Sequence, residues 1–198
     1  MFIFSRRWLL ASLAILALTA CSPDKPNFNS IDITGADYAK DFTLTDHNGQ
    51  TRSLSHFKGK VVVLFFGYTQ CPDVCPTSMS ELAEVKRLLG ADGDKLQGVF
   101  VTVDPARDTT ELLKLYMANF DPTFVAFVPT ADELADVAKH FKIYYKKQEG
   151  KTPTSYTMDH SAGSYVFDTQ GNVRLYSRYG SGAKVLAQDI QTLLKTTP

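Results

Sequence analysis

The sequence predicts an α/β fold, a mixed sheet with helices on both faces. Three short apolar runs, Val61–Phe66, Val99–Val103 and Phe124–Val128, are rich in β-branched and aromatic residues, as befits strands buried on both faces. Stripes of apolar residues at helical spacing lie between and after these runs, so strands alternate with helices as parallel crossovers require. Hairpin signals on either side of this unit add antiparallel strands.

Each element has its own local cause. Phe42–Leu44 and Thr51–Leu54 are joined through Asp46-His-Asn-Gly49, whose Asn-Gly supplies the positive φ of a tight hairpin turn. After the Val61 strand, Leu82, Val85, Leu88 and Leu89 mark a helix. Leu112, Leu113, Tyr116, Met117 and Phe120 make the clearest helical stripe, with Asp108 and Glu111 spaced as a capping box at its start. Leu134, Val137, Ala138 and Phe141 mark a third helix, followed by a loop around Pro153. Tyr165–Phe167 and Val173–Tyr176 flank Asp168-Thr-Gln-Gly-Asn172 as a second hairpin, and Leu186, Ile190, Leu193 and Leu194 line a last helix. The order fits a thioredoxin-like sandwich over residues 38–198, with an N-terminal hairpin and an inserted late hairpin.

Composition narrows the function classes. The 198 residues carry 21 Lys+Arg against 21 Asp+Glu, which leaves no basic excess for nucleic acid. At the N-terminus Arg6 and Arg7 precede the apolar run Trp8–Leu18, which as a helix spans about 16 Å, short of the roughly 30 Å hydrocarbon core. The run reads as a signal peptide over 1–20, and Leu18-Thr-Ala-Cys21 resembles a bacterial lipobox in which Cys21 becomes the lipidated first residue. Loss of Arg6 and Arg7 leaves 19 bases against 21 acids, a charge of −2. Residues 21–37, with Pro23, Pro26 and Gly35, read as a flexible tether from that lipid. The expected location is therefore extracytoplasmic, on the periplasmic side of a bacterial membrane, where disulfides are permitted.

Cys71-Pro-Asp-Val-Cys75-Pro falls just after a strand and at the start of a helix, where open α/β sheets place their ligands. Sulfurs four residues apart project on one side there, and helix N-terminal amides favour thiolate. A static disulfide is the bland alternative, although so short a loop adds little stability. His47, His56 and His140 read as surface or structural histidines, whereas His160 stands in an irregular loop, Tyr156-Thr-Met-Asp-His-Ser161, leading to a late strand. Two thiolates and an imidazole suit copper; zinc would want a fourth protein ligand. Met158 reads as a packing residue, and Arg107 as a partner of Asp104 or Asp108. Tyr144, Tyr145, Lys142, Lys146 and Lys147 read as a solvated strand end.

Three blocks, Phe66-Gly-Tyr-Thr-Gln-Cys-Pro-Asp-Val-Cys-Pro-Thr77, Val101-Thr-Val-Asp-Pro-Ala-Arg-Asp-Thr109 and Met158-Asp-His-Ser161, closely resemble those of the SCO/SenC family of copper proteins. The resemblance runs from about Tyr38 to Lys195. It implies a thioredoxin-like fold, Cu(I) or Cu(II) held by Cys71, Cys75 and His160, and Asp159 as an acidic neighbour orienting the histidine loop. It also implies a metallochaperone, and not an enzyme, that delivers copper to the binuclear copper centre of cytochrome c oxidase or prepares the thiols of that centre. Its expected partners are the copper-bearing oxidase subunit and an upstream periplasmic copper donor or thiol reductant. The lipobox departs from members that keep an uncleaved transmembrane anchor. A thiol-disulfide reductase working through a Cys71–Cys75 disulfide stands as the alternative, though such enzymes usually carry C-x-x-C. Redox sensing and peroxidase chemistry are weaker rivals. The peroxiredoxin Pro and Thr positions hold Leu64 and Tyr68 relative to Cys71, and Tyr68 and Pro72 relative to Cys75.

Overall fold

The computed structural model describes residues 26–152 and 155–197, so the expected signal peptide and Cys21 lie outside the described residues. In chain order the strands are β1 (Ile31–Asp32), β2 (Thr43–Thr45), β3 (Thr51–Ser53), β4 (Val61–Gly67), β5 (Leu96–Thr102), β6 (Val125–Phe127), β7 (Tyr145–Gln148), β8 (Thr157–His160), β9 (Ser164–Phe167) and β10 (Val173–Ser177). The helices are α1 (Val74–Leu88), α2 (Thr110–Ala118), α3 (Ala131–Phe141) and α4 (Ala183–Thr196). None of the described helices is long and apolar enough to cross a membrane.

A six-stranded sheet in the order β1-β10-β9-β4-β5-β6 forms the centre. Its parallel part, β4-β5-β6, holds Phe65 beside Phe100 and Val101 beside Phe127. β4, β5 and the middle of β9 are buried, as their apolar runs predict. Alternate residues of β4 divide the core between two faces. Phe65 looks toward α1, α2 and α4, together with Phe100, which packs on Tyr116. Phe66 looks the other way, onto Phe141 of α3. The mixed sheet with helices on both faces is thus the observed architecture.

The structure departs from expectation in three places. Residues 29–37, read as tether, belong to the fold: β1 pairs with β10, and the Asn29 and Ser30 amides both donate to the buried carboxylate of Asp189 at 2.8 Å. Tyr145–Gln148 and Thr157–His160 pair antiparallel as β7 and β8, a two-stranded sheet of their own, so His160 sits on a strand and not in an irregular loop. Thr109, not Asp108, caps α2 by accepting from the Leu112 amide. Asp108 is instead fully buried, accepting from the Thr69 amide and from the hydroxyls of Thr69 and Thr102.

Candidate metal centre

The loop after β4 and the first turn of α1 present the two sulfurs. Asp73 is the N-cap and Cys75 the second helical residue. Pro76 loses nothing there, because first-turn amides have no helical acceptor. The Cys75 amide donates to Cys71 Sγ at 3.4 Å, tying the partly exposed sulfur to the helix start. Cys75 itself is fully buried, beneath the Tyr68 backbone, which hydrogen-bonds its sulfur.

Gly67 makes room for that sulfur. A Cβ at this position would stand 2.9 Å from Cys75 Sγ, 2.7 Å from Phe65 Cε1 and 2.9 Å from Phe100 Cε2. The Phe66-Gly-Tyr68 sequence therefore has a steric purpose that was not evident from its letters alone.

β8 supplies the third donor. Its residues alternate outward and inward, so Thr157 and Asp159 are exposed while Met158 and His160 face the body. His160 Nε2 lies 3.4 Å from Cys75 Sγ, and Nδ1 lies 2.9 Å from the Ser161 carbonyl. A carbonyl only accepts, so the proton sits on Nδ1 and the Nε2 lone pair faces the sulfurs. The rings of Phe65 and Tyr68 meet the imidazole edge-on, with centroids 6.0 and 5.8 Å away. Asp159 takes a hydrogen bond from Gln148 across the hairpin, so it braces β8 and leaves the ring to Ser161.

Burial holds Cys75 and His160 in their neutral forms. Burial lowers the His160 pKa, against the Ser161 carbonyl and Asp159, which raise it. The helix-terminus argument predicts a depressed thiol pKa, but at Cys75 burial wins and pushes it far up, assisted by the neighbouring Cys71 thiol and Asp108. A metal entering here displaces a thiol proton.

The residues fit copper. The Cys71, Cys75 and His160 donor atoms all lie within 4.8 Å of one another, and metal bonds of roughly 2.0–2.3 Å join donors up to about 4.5 Å apart. Two sulfurs and one imidazole nitrogen, half enclosed by aromatic rings, form a soft set suited to copper. This is the only such cluster of His, Cys, Asp and Glu among the described residues.

The other histidines stay apart from it. His47 Nδ1 accepts the Ala126 amide, His56 Nδ1 accepts the Ser53 amide, and His140 is exposed on α3. Met158 packs against the core, Tyr144 is exposed, and Lys146 and Lys147 lie on the solvated side of the hairpin.

The chain is similar to known proteins in sequence and in fold. A copper-bound ScoI from Bradyrhizobium japonicum is 40% identical and superimposes with a TM-score of 0.71, over 78% of this chain and 98% of that one. Copper-bound yeast Sco1 is 29% identical with a TM-score of 0.72, over 80% of this chain and 88% of its own. The SCO2-like protein of Rickettsia conorii is 33% identical over 159 residues, 79% of this chain and 78% of that protein. With the SCO1/SenC family model matching residues 32–195, the chain belongs to the SCO1/SenC family.

Proposed function

We propose that the protein is a membrane-tethered copper carrier that binds one copper ion through Cys71, Cys75 and His160. It would deliver the ion to the binuclear copper centre of cytochrome c oxidase, or prepare the thiols of that centre. The observation that carries this reading is the convergence of two sulfurs and an unprotonated imidazole nitrogen within 4.8 Å. Structures of family relatives with copper bound support the choice of ion. Cys21 is the proposed lipid anchor, which puts the domain on the periplasmic side of a bacterial membrane with the oxidase's copper-bearing subunit as its recipient. An upstream periplasmic copper donor or a thiol reductant would supply ion or electrons. Here copper is cargo, and the residues' part is to hold it, shield it and surrender it by ligand exchange. Oxidation of the pair to a disulfide removes both sulfur donors, so redox state gates loading.

The test is stoichiometric. Anaerobically reduced protein should take up one copper per chain, and protein with a Cys71–Cys75 disulfide none. His160→Ala should weaken binding strongly and alter the spectrum of the Cu(II) form. Equal loading of the reduced and oxidised forms would sink the carrier reading.

One feature supports thiol-disulfide exchange as a second reading. Cys71 is accessible while Cys75 is buried against it, the asymmetry expected of an attacking and a resolving thiol. In that case His160→Ala leaves reduction of a model disulfide almost intact, whereas Cys71→Ser abolishes it.

A further inference from the structure

The hairpin that carries His160 pairs only with itself. β7 and β8 form a separate two-stranded sheet, and neither strand hydrogen-bonds to the central six. A lone two-stranded hairpin is marginal in water, so side chains must fix which face β8 turns toward the cysteines. Met158 packs on the core and its backbone hydrogen-bonds the Tyr68 side chain, and one further residue ties the start of β8 to two neighbouring loops. Arg107, in the loop between β5 and α2, ion-pairs through Nε with Asp104, which is 3% exposed. Its Nη1 donates to the Tyr156 carbonyl and to Gln70 Oε1, both at 3.0 Å. Its guanidinium carbon lies 3.5 Å from the centroid of the Tyr156 ring, and the Tyr156 hydroxyl donates to the other Asp104 oxygen at 2.7 Å. One planar fork thus joins the residue before Cys71, the loop after β5, and the strand end four residues before His160. Tyr156, Met158 and His160 lie on the same, inward side of the strand.

We propose that Arg107 is a positioning residue for copper binding: clamping Tyr156 to Asp104 keeps β8 from rolling and holds His160 Nε2 over Cys75. The inference rests on the carrier reading above for its ligand, but its mechanical part does not depend on copper. A lysine cannot replace the fork, because an ammonium lacks the planar set of donors that reaches three acceptors and stacks on a ring.

The experiment uses the reduced chain and the variants Arg107→Ala, Arg107→Lys and Tyr156→Phe. Without metal, hydrogen exchange of the β7–β8 amides should quicken about tenfold in both Arg107 variants, while β4 and β5 amides keep their wild-type protection. Cu(I) affinity, read by competition with a chelator, should fall about tenfold or more for both, and only a few-fold for Tyr156→Phe, which keeps the stacked ring. In a His160→Ala background Arg107→Ala should cause no further loss of affinity, because its effect runs through the imidazole. A full additional loss there, or unchanged hairpin exchange, would overturn the proposal. If wild-type protein takes up no copper, the carrier reading fails, and the exchange measurement alone decides whether the clamp exists.

Discussion

Gly67→Ala offers a sharp test of how the centre is built. The new methyl group would lie 2.7–2.9 Å from Phe65, Cys75 and Phe100, and ordinary contact begins near 3.4 Å, so something must move by 0.5–0.7 Å. Phe65 and Phe100 are 1% and 0% exposed and have nowhere to go. Overpacking of this kind costs about 1–3 kcal/mol. For a domain of this size that lowers Tm by about 2–12 °C. The sulfur moves as well, and a binding constellation tolerates only about 0.5 Å of misplacement, so copper affinity should drop about tenfold. Gly98→Ala is the control. The three atoms nearest its Cβ all belong to the Phe124 ring, at 2.6–2.8 Å, where Gly67 has Cys75 Sγ among its three. Thermal unfolding of the metal-free reduced proteins and chelator competition for Cu(I) should show both variants destabilised but only Gly67→Ala impaired in copper binding. If the two lower Tm alike and neither changes affinity, the role assigned to Gly67 beside Cys75 is wrong.

Three further outcomes follow from groups outside the centre. Asp189→Ala strands the Asn29 and Ser30 amides and should cost about 3 kcal/mol while exposing residues 29–34 to proteolysis; an unchanged cleavage pattern would contradict the clasp. Burial depresses the His47 pKa below its ordinary 6.5, and protonation would also cost Nδ1 its bond from the Ala126 amide. The unfolded chain therefore takes up this proton first, and its stabilising contribution is present above pH 6.5 and lost as pH falls through the depressed folded value. Urea unfolding between pH 8 and 5 should show a steeper loss for wild type than for His47→Gln, and parallel slopes would refute it. Asp108 is pushed above the usual carboxylate range, mainly by burial, so its desolvation makes the charged form costly. Asp108→Asn should be nearly neutral and Asp108→Ala should cost about 2–4 kcal/mol, because only alanine leaves the Thr69 and Thr102 donors unpaired. Similar chemical denaturation midpoints for the two variants would count against that account.

What the letters reveal depends on whether the cause is local. The continuous runs at Val61, Val99 and Phe124 became buried strands because no alternative burial suits them. The cysteine pair was legible because strand end, proline and helix start lie within a few residues. His160 was legible by its loneliness among apolar and polar neighbours, but its strand was not. Tyr145-Lys-Lys-Gln148 has no apolar alternation: only Tyr145 packs against the core, and Lys146 and Lys147 are solvated. β1 escaped because its hold is remote in sequence: it pairs with β10, and Asp189 pins the two residues before it from about 160 residues away. Asp108 sits where an N-cap belongs, and only the fold reveals that Thr69 and Thr102 claim it. The thiol pKa was misjudged because a sequence marks a helix terminus and cannot register depth.

The Asp189 clasp also sets a leash length. If Cys21 carries lipid, as proposed, residues 22–28 are all that separates it from the first pinned amide at Asn29. Seven residues span at most about 25 Å when fully extended. A domain so tethered cannot roam the periplasm; it patrols a thin layer over the bilayer. Encounters with a membrane-embedded recipient then become a search in two dimensions, at a high effective concentration, so even a weak docking surface could hand over its cargo.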